Sequence, residues 1–127
     1  MKRIPIVYFC HNYGGDQQNA DEMIPIIQDL ASKYDFIPIS PIHNMGYLYN
    51  TVDYDKSIEH CIRLLNFAYC LVVFGDKSTS KGCEIEKKYS KENNIPIVEY
   101  NKFGEWYKSY MGDDYVDLQK KEETKNE

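Results

Sequence analysis

The residues best equipped for chemistry stand together in Ser80-Lys81-Gly82-Cys83-Glu84-Ile85-Glu86. A Ser hydroxyl, a Gly that lets a ligand come close and the bare backbone N–H groups of a helix start make a natural seat for a phosphate. The carboxylates follow one turn later. Glu84 and Glu86 are two positions apart, so on a helix they point in different directions and only one can face a site. The same residue types also serve an ordinary helix start, where Ser caps and glutamates suit the first turn. The elements around the segment must decide between the two readings.

Cys70 to Phe74 (CLVVF) is a continuous apolar run of the kind a parallel sheet buries on both faces. The turn Gly75 to Thr79 follows it, then Ser80 as N-cap and a helix from Lys81 to Asn93. Ile4 to Cys10 reads as a first buried strand running into His11-Asn12-Tyr13-Gly14-Gly15, a glycine turn. From Asp16 to Tyr34 apolar residues recur at three and four, with Pro25 inside the pattern, so a kink or a late helix start is expected there. Phe36 to Ile39 is a short strand ended by Ser40-Pro41. Ile42 to Asp53 has neither period and reads as a loop long enough to be functional or mobile. Tyr54 to Ala68 is helical, Ile95 to Tyr100 a fourth strand, and Phe103 to Met111 a short last helix.

Strands alternating with helices imply a three-layer α/β domain, Rossmann-like or flavodoxin-like, with a parallel sheet of four to five strands and right-handed crossovers. Such sheets bind ligands at the carboxyl ends of their strands. That rule singles out Tyr8 to Gly15, Ser40 to Asn44, Gly75 to Gly82 and Tyr100-Asn101, where the polar and glycine residues gather. One domain is expected over residues 1–112, followed by an acidic, disordered tail over 113–127.

Four stretches carry a resemblance to a known family. They are Val7-Tyr8-Phe9-Cys10 with its glycine-bearing loop, Ile37-Pro38-Ile39-Ser40-Pro41, the strand Cys70 to Gly75, and Ser80-x-Gly82-x-x-x-Glu86 followed after a helix by Ile95-Pro96-Ile97. From Ile4 to Tyr100 the chain resembles the nucleoside 2-deoxyribosyltransferase-like superfamily, which includes deoxynucleoside 5′-monophosphate N-glycoside hydrolases and small bacterial and phage proteins. The resemblance implies a nucleotide or nucleoside ligand and a homo-oligomer of two or more copies, and no cofactor or metal is expected. It assigns to Glu86 nucleophilic attack on the anomeric carbon of the sugar, to Tyr8 a hydrogen bond to that carboxylate, and to Ser80 and Gly82 contact with a 5′-phosphate. An oxocarbenium-like state next to a carboxylate suits that chemistry. Gly14, His11, Asn12, Ser40, His43 and Gly75, at the strand ends, complete the expected nucleotide-binding set. Tyr8 could equally be a core residue.

The chain departs from the family pattern in one place that matters. An Asp on the helix before the third strand handles the leaving base, and the position that lines up here is Cys61, a poor acid at neutral pH. Glu59 and His60 are next to it but are expected to face elsewhere, while His11 could supply the missing acid or crowd the pocket, and His43 in the long loop is another candidate for that acid. The expectation is therefore an enzyme that cleaves or transfers at an N-glycosidic bond, or a binding module on the same fold that sequesters a nucleotide without turning it over. A scaffold docking a protein partner through the Tyr-rich loop from Gly46 to Tyr54 ranks third.

Composition narrows the classes further. The net charge is −5, which disfavours a nucleic-acid partner, since that calls for a basic patch. Cys10, Cys61, Cys70 and Cys83 lack paired zinc-ligand spacing and read as reduced, mostly buried thiols. No apolar run approaches a membrane span and the start lacks a cleavage site, so a cytoplasmic location is expected. The 12 tyrosines suit a stacking and hydrogen-bonding site, or plain half-buried packing.

Overall fold

The computed structural model describes residues 3–119. Four strands, β1 (Ile6–Cys10), β2 (Ile37–Ile39), β3 (Cys70–Val73) and β4 (Ile97–Glu99), form one all-parallel sheet in the order β2-β1-β3-β4. Alternation along the two central strands splits the core. Val7, Phe9, Cys70 and Val72 point to one face, and Tyr8, Cys10, Leu71 and Val73 to the other. Both faces are covered, which is why β1 and β3 are apolar without a break.

Helices α1 (Gln17–Lys33) and α5 (Phe103–Met111) close the first face through Met23, Leu30, Phe103 and Tyr107. Helices α3 (Tyr54–Leu65) and α4 (Lys81–Glu92) close the second through Leu65, Cys61, Cys83 and Tyr89. The result is a three-layer Rossmann-like α/β domain. The connection after β1 leaves by one face and that after β3 by the other, so the strand order reverses between them. A crevice opens at such a switch point, outside the carboxyl ends of the strands.

Three expectations need correction. Helix α1 does not start late: Asp16 caps it, accepting the Gln18 N–H at 2.9 Å, and it runs through Pro25, which lies on its exposed side. The stretch 42–53 is not a plain loop. It holds a short helix α2 (Pro41–Met45), with Pro at its start, and a 3-10 turn (Gly46–Leu48). Five residues are too few to show a helical period, and α2 is held by a tertiary contact instead. The His43 Nε2 lies 2.8 Å from the Ala20 carbonyl on α1. Finally, the packed body extends past residue 112, because the Tyr115 ring meets Tyr107 edge-on with centroids 6.1 Å apart. The rest of the expected acidic tail, from residue 120, lies outside the described residues. Among the described residues no helix is long and apolar enough to cross a membrane.

Candidate functional site

A cavity of about 440 Å³ occupies the switch point, within the size range of small-molecule sites. Its floor is made by Tyr8 and Cys10 from β1, Cys61 from α3, and Cys83 and Glu86 from α4. Ile42, Met45 and Leu48 give it an apolar wall from α2 and the turn after it, with Ile58 of α3 alongside. Tyr13, Tyr49 and Tyr54 ring the mouth together with Lys81. Tyr13 and Tyr49 meet edge to face at 5.4 Å, and the Lys81 ammonium lies 5.6 Å from the centre of the Tyr54 ring.

The start of α4 is built with care. Ser80 caps it, its Oγ accepting the Cys83 N–H at 3.2 Å. Asn12, just past β1, accepts the N–H groups of Thr79 at 2.9 Å and Ser80 at 2.7 Å through its Oδ1. Its own N–H donates to the Lys77 carbonyl at 2.6 Å. Buried Ser78 donates to the Cys10 carbonyl and accepts the Phe74 N–H at 2.8 Å. The loop after β3 is thus tied to the end of β1. Being at the first turn, the Lys81 and Gly82 N–H groups have no acceptor within the helix, and both residues border the cavity. A side chain at Gly82 would put a Cβ 3.3 Å from Ile58 Cδ1, so the glycine lets α3 and α4 approach beside the site.

The two glutamates separate as helix geometry requires. Glu84 lies outside, paired with Lys87 at 3.1 Å, while Glu86 is turned inward and is 8% exposed. Burial, and then the negative charge of Cys83, push the Glu86 carboxyl up to about 7. The Cys10 thiol and the Tyr8 hydroxyl act against that rise by favouring the ion. Tyr8 is fully buried, and its hydroxyl makes no formed hydrogen bond. Its influence on Glu86 is that of a nearby donor, which also acts on the Cys61 thiol. Burial and then the Glu86 charge hold the phenol well above its ordinary range.

The thiols differ among themselves. A hydrogen bond from Cys10, and then contacts with Ser80, pull Cys83 down despite its burial. Burial and the Glu86 charge lift Cys61 to about 11, which keeps it a neutral thiol. Cys70, on the opposite face of the sheet, is raised by burial alone. All four are free. Among the described residues no group of three or more His, Cys, Asp or Glu side chains is placed to hold a metal ion.

Of the residues expected at the site, Glu86, Tyr8, Ser80, Gly82, Gly14 and His11 border the cavity. Asn12, Ser40, His43 and Gly75 do not, and each is engaged by the protein itself. Asn12 holds the loop before α4. The Ser40 hydroxyl is 2.6 Å from His43 Nδ1, and His43 reaches on to α1. The Gly75 N–H donates to Glu99 on β4 at 3.1 Å. His11 borders the space without offering it a proton. Its Nδ1 donates to the Asn12 carbonyl at 2.7 Å, and Nε2 lies 3.8 Å from Glu22. His60, expected to face away, stands at the exposed rim instead.

The apolar wall from α2, the tyrosine mouth, and the grouping of Cys10 and Cys83 with Glu86 are not among the features expected from the sequence. Strand alternation could have placed Cys10 beside Tyr8's face, and Cys83 follows Ser80 by three, at the end of the capped turn. Comparisons with family models, curated proteins and solved structures give no match for this chain.

Proposed function

We propose that the chain binds a nucleotide or nucleoside in the cavity between β1 and β3 and cleaves or transfers at its N-glycosidic bond, with Glu86 as nucleophile. One observation carries this reading. A buried carboxyl and an uncommitted buried phenol, Glu86 and Tyr8, share the floor of a cavity beneath the open N-terminus of α4. The resemblance of Ser80-x-Gly82-x-x-x-Glu86 to the deoxyribosyltransferase-like pattern supports it independently.

In the proposed reaction a 5′-phosphate sits on the Lys81 and Gly82 N–H groups near the Lys81 ammonium. The apolar wall of Ile42, Met45 and Leu48 takes the base. A Glu86 oxygen forms a bond to the anomeric carbon as the C–N bond breaks, and the base leaves with that electron pair and collects a proton. Water or a second base then attacks the same carbon and frees the carboxylate. Tyr8 donates to the carboxylate in its ionised state and lowers the cost of holding it in a buried place.

A second reading, a module that retains a nucleotide without turning it over, is favoured by the floor around Cys61. That thiol stands where a carboxylic acid would assist the departing base, and it is held near 11, too weak an acid to protonate a leaving group efficiently at neutral pH. The two readings separate in one experiment. Purified protein and its Glu86→Ala variant are incubated with nucleosides, nucleoside monophosphates and deoxynucleoside monophosphates, and both free base and retained ligand are followed by chromatography. Base release lost in the variant supports the enzyme. Retention of unaltered nucleotide by both proteins supports the binding module, and neither release nor retention sinks both.

A further inference from the structure

We propose that Cys10 and Cys83 form a peroxide-sensitive dithiol that closes into a reversible disulfide across the floor of the cavity, with Cys83 as the attacking thiol and Cys10 as the resolving one. The thiol chemistry stands on its own, while its consequence for turnover rests on the reading of Glu86 given above.

The two residues come from different elements and meet in one place. Cys10 ends β1 and Cys83 lies in the first turn of α4; both belong to the same packed cluster and both border the cavity. Each is the first influence on the other's ionisation. Cys83 is also oriented from outside the pair, with its N–H on Ser80 Oγ and its Sγ 3.6 Å from Asn12 Oδ1. A thiol at a helix N-terminus is favoured as thiolate, and the thiolate is the reactive form. The other two cysteines lack this combination. Cys61 is kept protonated beside Tyr8, and Cys70 is on the far face of the sheet.

A small hydroperoxide enters the cavity and the Cys83 thiolate attacks its terminal O–H oxygen. The S–O bond forms, the O–O bond breaks, and the departing hydroxide or alkoxide takes the proton that Cys83 had released, leaving as water or an alcohol. Cys10 sulfur then attacks the Cys83 sulfenic sulfur. The S–S bond forms, the S–O bond breaks, and the hydroxide departs as water with the Cys10 proton. Two thiols lose two electrons and the peroxide gains them. The disulfide removes from beside Glu86 both the Cys10 thiol and the Cys83 charge that act on its carboxyl, and fixes α4 to β1 beneath the ligand.

The full chain is treated with hydrogen peroxide in small excess, alkylated, digested and mapped by mass spectrometry. The expected result is a Cys10–Cys83 cross-linked peptide that dithiothreitol releases, with Cys61 and Cys70 still alkylated and Cys83 consumed at least about tenfold faster than either. In Cys10→Ser, oxidation stops at a Cys83 sulfenic acid that dimedone traps. Four alkylatable thiols after peroxide, or first oxidation at Cys61 or Cys70, overturns the proposal. Because the wild-type map reads thiols rather than turnover, it can fail while the Glu86 reaction stands, and the reverse.

Discussion

Asn12 Oδ1 accepts the Ser80 N–H at 2.7 Å, so the first turn of the helix that carries Glu86 is tied to the chain just past the strand that carries Tyr8. The pairing converts two distant segments into one floor. Replacing Asn12 with Ala removes the acceptor for both Ser80 and Thr79 and should cost about 1–2 kcal/mol of stability. Asn12→Asp keeps an acceptor oxygen and should stay close to wild type. Urea midpoints of the three proteins check this. Equal loss in both variants would mean that the amide nitrogen, not Oδ1, does the holding.

The Glu86 carboxyl, lifted from 4.5 to about 7, binds its proton more tightly folded than unfolded. Its contribution to stability is therefore complete below the unfolded value and is lost as pH rises through about 7. The loss is on the order of 3 kcal/mol. Glu86→Gln should match wild type at pH 4 and exceed it in melting temperature above pH 7, with the gap opening between those limits. A difference that does not change with pH would show that Glu86 is not buried as described.

Tyr8→Phe deletes a buried hydroxyl that has no formed hydrogen bond, so below pH 7, where Glu86 holds its proton, its stability should be unchanged or slightly higher. Glu86 would lose a donor that favours its ion, and its titration should move above 7. An NMR titration of the carboxyl reads the shift directly. In an active protein the pH profile should move the same way and kcat should fall more than KM rises. Unchanged titration would reduce Tyr8 to a core residue.

Much of this was legible from residue order. The run CLVVF named the central strand, Ser80 named the helix start, and two-residue spacing separated Glu86 from Glu84. What escaped is non-local. Helix α2 is too short for periodicity and depends on His43 reaching Ala20. Asn12, Ser40, His43 and Gly75 sit at strand ends where ligand residues gather, yet their polar groups bond to the protein, a choice no spacing reveals. The thiols at residues 10, 61 and 83 converge only because a parallel sheet brings successive elements to one end.

Gly14 and Gly15 both have positive φ, at +59° and +77°, but differ in surroundings. A Cβ at Gly14 meets open space, whereas one at Gly15 would stand 2.8 Å from Tyr49 Cε1. Both Gly→Ala variants should lose about 1–2 kcal/mol to backbone strain. Only Gly15→Ala should also displace the Tyr49 ring and weaken ligand retention, as equilibrium binding would show. Equal affinity in the two variants would remove Tyr49 from the mouth of the site.

Attack by Glu86 on the sugar would leave the sugar covalently on the protein. Wild-type protein mixed with a deoxynucleoside monophosphate that it turns over is acid-quenched within the first turnover, digested and examined by mass spectrometry. The expected result is a sugar-phosphate ester on the peptide containing Glu86, absent from Glu86→Gln, which also releases no base. Base release that persists in Glu86→Gln, with no adduct on the wild-type peptide, would contradict it.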